Sequence, residues 1–304
     1  MKYRIIGDIH GRVNWQKLVN IDDLNTINIF LGDFTDPYYG YEKVASYQQM
    51  IEQINKVFEL KKQAPDRVII LASNHDNQYW INDGDSNRFD RLHCKEINKL
   101  FVDNTNLFHG VAYSIGEKYL ITHAGVTWDW YQKQFNNTYN KDITTLKEIC
   151  DNINTFYNES IENKIKFTFG ACTTKLSDYY GVCPSHSPLW VRPRTLWDSN
   201  LFGFDSGIIQ VIGHTRFEPM KHSDKDLYGT IATYGTLKTP IKNDEDAEDA
   251  YRYVGFALDG MDKCSLIEND SNHVDIILCD CLFNETACIE IDDTDLTWKK
   301  ILIQ

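Results

Sequence analysis

The first residues able to do chemistry together are Asp8 and His10, in Gly7-Asp8-Ile9-His10-Gly11. A carboxylate and an imidazole two positions apart at the end of a strand point the same way and are ligands for a divalent transition metal. The flanking glycines let the backbone turn sharply and come close to a bound group. Four later stretches have the same character: Gly32-Asp33-Phe34-Thr35-Asp36-Pro37, Ala72-Ser73-Asn74-His75-Asp76, Thr122-His123-Ala124-Gly125 and Gly213-His214-Thr215. Each closes an apolar run. The set to be brought together is therefore Asp8, His10, Asp33, Asp36, Asn74, His75, His123 and His214.

The elements that must position them follow from hydrophobic period. Arg4 to Ile6, Ile27 to Leu31 and Arg67 to Leu71 read as buried strands. Between them, Arg12 to Asn20 reads as a helix with Trp15, Leu18 and Val19 on one face. Glu42 to Lys62 reads as a long amphipathic helix. This alternation predicts parallel strands with helical crossovers, whose ligands bind beyond the carboxyl ends of the strands. Arg88 to Phe101 is predicted helical. Val111 to Gly116 and Lys118 to Thr122 form a predicted hairpin, and Ile208 to Ile212 a further buried strand. Residues 126–187 break the rhythm and are expected to be a mostly helical inserted cap. Short strands are expected at Gly229 to Tyr234, Tyr253 to Leu258, Lys263 to Ile267, Val274 to Leu278 and Ala287 to Ile291. No linker divides the chain, so residues 1–304 are expected to be one domain.

Composition narrows the function. The net charge of -13 argues against duplex nucleic acid and anionic membrane as passive partners. A phosphate substrate is compatible with it, because bound metal reverses the field locally. There is no apolar run of transmembrane length and no signal peptide, so the expected location is the cytoplasm. The eight cysteines are expected to be reduced, although Cys279, Cys281 and Cys288 would supply three ligands to a zinc ion.

The five ordered motifs resemble those of the calcineurin-like metallophosphoesterases, and within them the serine/threonine protein phosphatase branch of bacterial and phage type. That resemblance runs from residue 7 to residue 215. It implies a four-layer α-β-β-α sandwich, two mixed sheets face to face with helices outside and the late short strands in the second sheet. It implies two divalent cations, manganese first, with iron, zinc or nickel as alternatives. Asp8 and His10 would hold the first cation, Asp33 would bridge, and Asn74, His123 and His214 would hold the second. His75 would be the general acid, oriented by Asp36. The physics agrees: two close cations need a shared anionic ligand, clamp a phosphate and activate water. A histidine beside them, fixed by a carboxylate, protonates the leaving oxygen.

The implied activity is hydrolysis of a phosphomonoester, in a protein or a small molecule. A phosphodiesterase, or a nucleotide or dinucleotide polyphosphate hydrolase, is the alternative. A non-catalytic binding module is a third reading, weakened because every expected ligand is present. The sequence departs from the family at Asp36-Pro37-Tyr38, where protein phosphatases have Asp-Arg-Gly and the arginine contacts phosphate. Arg192 or Arg194, in a proline-stiffened loop, is expected to take over that contact.

Overall fold

The computed structural model describes residues 1–38, 45–81, 88–135, 145–163, 167, 186–198, 207–216, 230–234, 255–257, 274 and 276–303. The expected strand at Lys263 to Ile267, residues 42–44 of the expected Glu42 helix and most of residues 164–185 lie outside them; Ala45 and Ser46 are described and are not helical, so that helix starts later than expected, at Tyr47.

Two mixed sheets form the centre. The first is built from β1 (Lys2–Ile6), β2 (Thr26–Phe30), β3 (Val68–Ile70), β10 (Thr286–Asp292) and β11 (Thr297–Ile303), in the order β11-β10-β1-β2-β3. Here β1, β2 and β3 are parallel, and β10 runs antiparallel to β1 with Ile5 opposite Ile289. The second holds β4 (Ala112–Ile115), β5 (Tyr119–Thr122), β6 (Ile209–Ile212), β7 (Ala232–Tyr234), β8 (Gly255–Ala257) and β9 (Ile276–Leu278), in the order β4-β5-β6-β9-β7-β8. The run β5, β6, β9 is parallel and its flanking pairings are antiparallel.

Strand alternation decides which side chains meet. In fully buried β2, Ile27 and Ile29 join Ile5 and Ile69 against Ile121, Val211 and Ile277 of the second sheet. Phe30 turns the other way, with Ile6 and Val68, onto Met50, Ile54, Val57 and Phe58 of α1 (Tyr47–Gln63). Leu120 and Ala112 of the second sheet share that kind of packing with Trp130 of α4 (Trp128–Phe135) and with Ile149 and Ile153 of α5 (Leu146–Glu162). Helix, sheet, sheet and helix are thus the four layers expected.

Helix α1 starts at Ser46, whose hydroxyl accepts from the Gln49 amide, and α5 starts with a full capping box between Thr145 and Glu148. From α5, buried Asn154 accepts the Val111 and Ala112 amides at 2.9 Å each and donates to the Ala112 carbonyl at 2.8 Å. It substitutes for the strand partner that β4 lacks at its start. Asn154→Ala leaves three buried backbone groups unpaired and should lower stability by about 3 kcal/mol. Urea unfolding would measure this. An unchanged midpoint would mean that the strand end finds other partners.

Several expectations need correction. After His10 there is a 3-10 turn, Asn14–Lys17, in place of a helix over Arg12 to Asn20. The Arg88 helix begins later, as α3 (Cys94–Asp103). An unpredicted helix, α2 (Asn74–Ile81), starts at the Asn74-His75 motif itself. The expected strand Ala287 to Ile291 is β10 of the first sheet, beside β1, so the late strands do not all form the second sheet. Strand β11 was not expected at all. Among the described cysteines, Cys94, Cys150, Cys279, Cys281 and Cys288 are all unpaired. Cys279 and Cys281 pack between the sheets while Cys288 packs on the helix side, so these three do not converge on a zinc ion.

Candidate metal centre

The five motifs meet at the carboxyl ends of the parallel strands. Loops rather than strand alternation aim the side chains. His10, Asp33, Asp36 and His214 all have positive φ, between 44° and 60°, and Leu296 is the one other non-glycine like them among the described residues. Each such residue costs about 1–3 kcal/mol and persists because its surroundings over-determine it. Ser73 has ordinary φ, and its hydroxyl is used: it accepts from the Asp33 amide at 2.8 Å and donates to Asp76 at 2.7 Å. Buried Asp76 also accepts from the amides of Phe34 and Thr35, and so braces the Asp33 to Asp36 loop from below. Burial and the neighbouring Asp33 push its carboxyl up to about 7.

Asp8, Asp33 and His123, all buried, have ligand atoms within 4.8 Å of one another. His10 Nε2 lies 3.2 Å from Asp33 Oδ2, and His123 Nε2 lies 3.5 Å from Asp33 Oδ1 and 2.7 Å from Asn74 Oδ1. The His214 ring sits 5.1 Å from that of His123. Asp8 is held from behind by the His214 amide, at 2.9 and 3.1 Å from its two oxygens.

The imidazoles are prepared as ligands. His10 Nδ1 is 2.7 Å from the Thr35 carbonyl and His123 Nδ1 is 2.9 Å from the Leu31 carbonyl. Both contacts place the ring proton on Nδ1 and leave the Nε2 lone pair for a cation. His10 Nε2 is buried without a hydrogen-bond partner. Burial, then Arg88, holds the His10 pKa down at about 3. Burial also lowers His123, and burial with Arg192 lowers His214 well below the usual range. Neutral imidazoles are the metal-binding form. Burial and the charges of Asp280 and Asp33 push Asp8 up, whereas His123, His75 and His10 outweigh burial at Asp33 and keep it ionised. A divalent cation relieves that carboxylate repulsion, so the donor set fits one.

His75 stands outside this cluster of donors. Its Nδ1 is 2.6 Å from Asp36 Oδ2, and Asp36 also accepts from Gln78 and Tyr79. Arg192 donates Nη1 to the His214 carbonyl and to Thr215 Oγ1, both at 2.9 Å, which ties it to the same centre. Arg194 lies in α6 (Pro193–Asp198), and its side chain falls outside the described residues.

Residues that the motifs did not flag also border the site. Arg88 Nη2 is 2.8 Å from His75 Nε2 and its Nη1 donates to the Asp36 carbonyl at 2.7 Å. Arg12 Nη1 donates to the Asp8 carbonyl at 3.2 Å. The Tyr38 ring stands edge-on to His10 at 4.9 Å. Asp280 is buried just past β9. Position was the available signal: Arg12 directly follows the first motif, Arg216 follows Gly213-His214-Thr215, and Asp280 follows a strand end.

Fold and site together define a class: a two-sheet α/β sandwich that gathers carboxylates and imidazoles able to hold a divalent cation at its strand ends. A family model described as calcineurin-like phosphoesterase matches residues 1–216, and the chain belongs to that family. It is a phosphoester-hydrolysing enzyme. Among solved structures, the chain is similar to a protein serine/threonine phosphatase from Saccharomyces cerevisiae at 13% identity and TM-score 0.48, covering 100% of this chain and 80% of that one. It is also similar to a metallophosphoesterase from Sphaerobacter thermophilus at 12% identity and TM-score 0.46, covering 100% and 89%. No curated protein sequence matches the chain. No helix among the described residues is long and apolar enough to cross a membrane.

Proposed function

We propose that the chain hydrolyses a phosphomonoester with two divalent cations held by Asp8, His10, Asp33, Asn74, His123 and His214. Asp8 and His10 would hold one cation, Asn74, His123 and His214 the other, and Asp33 would be shared. The observation that carries this reading is the buried Asp8, Asp33 and His123 cluster with its ligand atoms inside 4.8 Å. When bound, the cations would polarise the phosphoryl oxygens and lower the pKa of water to near neutrality. Mixed carboxylate, amide and imidazole donors suit manganese, and iron, zinc or nickel would also be accepted.

The chain's own residues supply the rest. His75, held at Nδ1 by Asp36, would carry a proton at Nε2 to the leaving oxygen. Asp36 orients that ring, itself held by Gln78 and Tyr79. Arg192 would meet a phosphoryl oxygen with its remaining N–H groups. Residues 1–304 would act as one unit, with 126–187 shaping the pocket. What supports this is that β9, β10 and β11, late in the chain, complete both sheets. A cytoplasmic location is part of the proposal, supported by the five unpaired thiols.

Hydrolysis of p-nitrophenyl phosphate against bis-p-nitrophenyl phosphate, with Mn²⁺ added, tests the reading. Turnover of the monoester alone is expected. Preference for the diester would move the assignment to a phosphodiesterase. No turnover of either, with metal bound, would favour a binding module.

A further inference from the structure

We propose that Arg12, Arg88 and Arg216, gathered around the Tyr38 ring, form an anion subsite beside the metal centre that receives a second phosphate. The favoured substrate is then a chain of two or more phosphates, hydrolysed at its terminal group. The proposal rests on the hydrolase reading for its reaction, though not for its binding.

The guanidinium carbons of Arg88, Arg216 and Arg12 lie 3.6, 4.4 and 5.6 Å from the Tyr38 ring centroid. Arg216 and Arg12 also lie 5.2 and 5.5 Å from the Phe283 ring. Arginine stays charged under all ordinary conditions, so three on one ring repel one another. Such a group is out of keeping with a chain of net charge -13. The aromatic faces offset part of the repulsion. Asp280 offsets another part. It is buried, its field reaches all three arginines, and its Oδ1 has no hydrogen-bond partner. Three cations around one carboxylate are a site for an anion with several oxygens, and planar guanidinium forks match the oxygens of phosphate.

The position selects the second phosphate rather than the first. The cluster begins where the metal centre ends: Arg88 at His75 Nε2, Arg12 on the Asp8 carbonyl, and Tyr38 one ring from His10. It continues from Tyr38 to Phe283, since Arg12 and Arg216 lie near both rings. All three arginines and Tyr38 are partly exposed, so the cluster is reachable. A phosphate held at the metal centre leaves its neighbour in the chain facing this row. In the reaction, water oxygen bonds to the terminal phosphorus and the bond from that phosphorus to the bridging oxygen breaks. His75 gives its proton to the departing chain, one proton of the water stays on the released orthophosphate and the other restores the proton on His75, so no co-reactant is needed.

Two readouts on the Mn²⁺-loaded protein test this. The first is kcat/KM for inorganic tripolyphosphate, a nucleoside 5′-triphosphate and p-nitrophenyl phosphate. The second is calorimetric affinity for Mn²⁺-equilibrated tripolyphosphate against orthophosphate, in the His75→Ala protein to slow turnover. Tripolyphosphate or the nucleotide should exceed p-nitrophenyl phosphate by about tenfold or more, and Arg216→Ala and Arg216→Gln should each lower that ratio by about tenfold. Tripolyphosphate should also bind about tenfold tighter than orthophosphate, with the difference lost in the Arg216 variants. A ratio unmoved in both variants, or equal affinities, overturns the subsite while p-nitrophenyl phosphate turnover leaves the hydrolase reading intact. Hydrolysis of none of the three sinks the hydrolase reading, and the calorimetry then decides the subsite alone. Both polyphosphates support the subsite. The faster of them tells whether the chain is free or carried on a nucleoside.

Discussion

His75→Ala should lower kcat for p-nitrophenyl phosphate by about 10²–10⁴, the usual contribution of a positioned general acid, with KM little changed. Metal content should stay the same, because His75 contributes no atom to the Asp8, Asp33 and His123 cluster. The ring is aimed by one short contact, Nδ1 to Asp36 Oδ2 at 2.6 Å, and its backbone amide lies 3.4 Å from Asp33 Oδ1. Truncating the side chain leaves that amide in place. The loss should be larger for phenyl phosphate than for p-nitrophenyl phosphate, because the poorer leaving group depends more on protonation. In this structure Arg88 covers Nε2 at 2.8 Å. A substrate phosphate is the stronger partner for a guanidinium and must draw it away before Nε2 meets the leaving oxygen. Metal loss in His75→Ala would make it a ligand instead. A loss equal for both substrates would argue against proton donation.

The candidate metal centre was legible because its residues stand at the ends of buried runs, and in parallel α/β sheets those ends converge. Asp8, Asp33, Asn74, His75, His123 and His214 come close together for that reason, though the loops do the aiming at His10, Asp33, Asp36 and His214. The helix α2 was not legible. Every residue from Asn74 to Trp80 is buried, so no apolar stripe marks it. Strand β11 was hidden by Lys299 and Lys300: Lys299 stands exposed on one face of this edge strand, and Lys300 turns to the other, where it pairs with Glu285 at 2.7 Å. The partner of β10 was not legible either, since a strand pattern reports burial and not which strand lies alongside. The arginine cluster escaped for a different reason. Arg88 belongs to no strand end, and Tyr38 and Phe283 come from opposite ends of the chain, so only the folded loops bring them together.

Gly213→Ala should weaken metal binding and cut activity by about 10–100-fold or more, the range seen when a residue that positions a ligand is disturbed. Gly213 does not have positive φ, so it is needed for space and not for backbone freedom. A Cβ there would lie 2.1 Å from Asp8 Oδ1 and 3.2 Å from its Cγ. The carboxylate cannot retreat freely. The adjoining His214 amide grips both of its oxygens, and Asp280 and Asp33 repel it from other sides. The methyl must therefore turn Asp8 away from Asp33 and His123 or push the His214 loop outward, and each movement separates residues proposed to hold the cations. Stability should also fall, by about 1–3 kcal/mol for overpacking. Metal titration with activity as readout would show a raised Mn²⁺ requirement, partly restored at high Mn²⁺. Gly207→Ala is the control. Its Cβ meets nothing within 4 Å, although its φ of 73° carries a strain cost. It should lose some stability and keep its Mn²⁺ requirement. Equal Mn²⁺ requirements in the two variants would show that Asp8 keeps its place beside the added methyl, and would overturn this prediction.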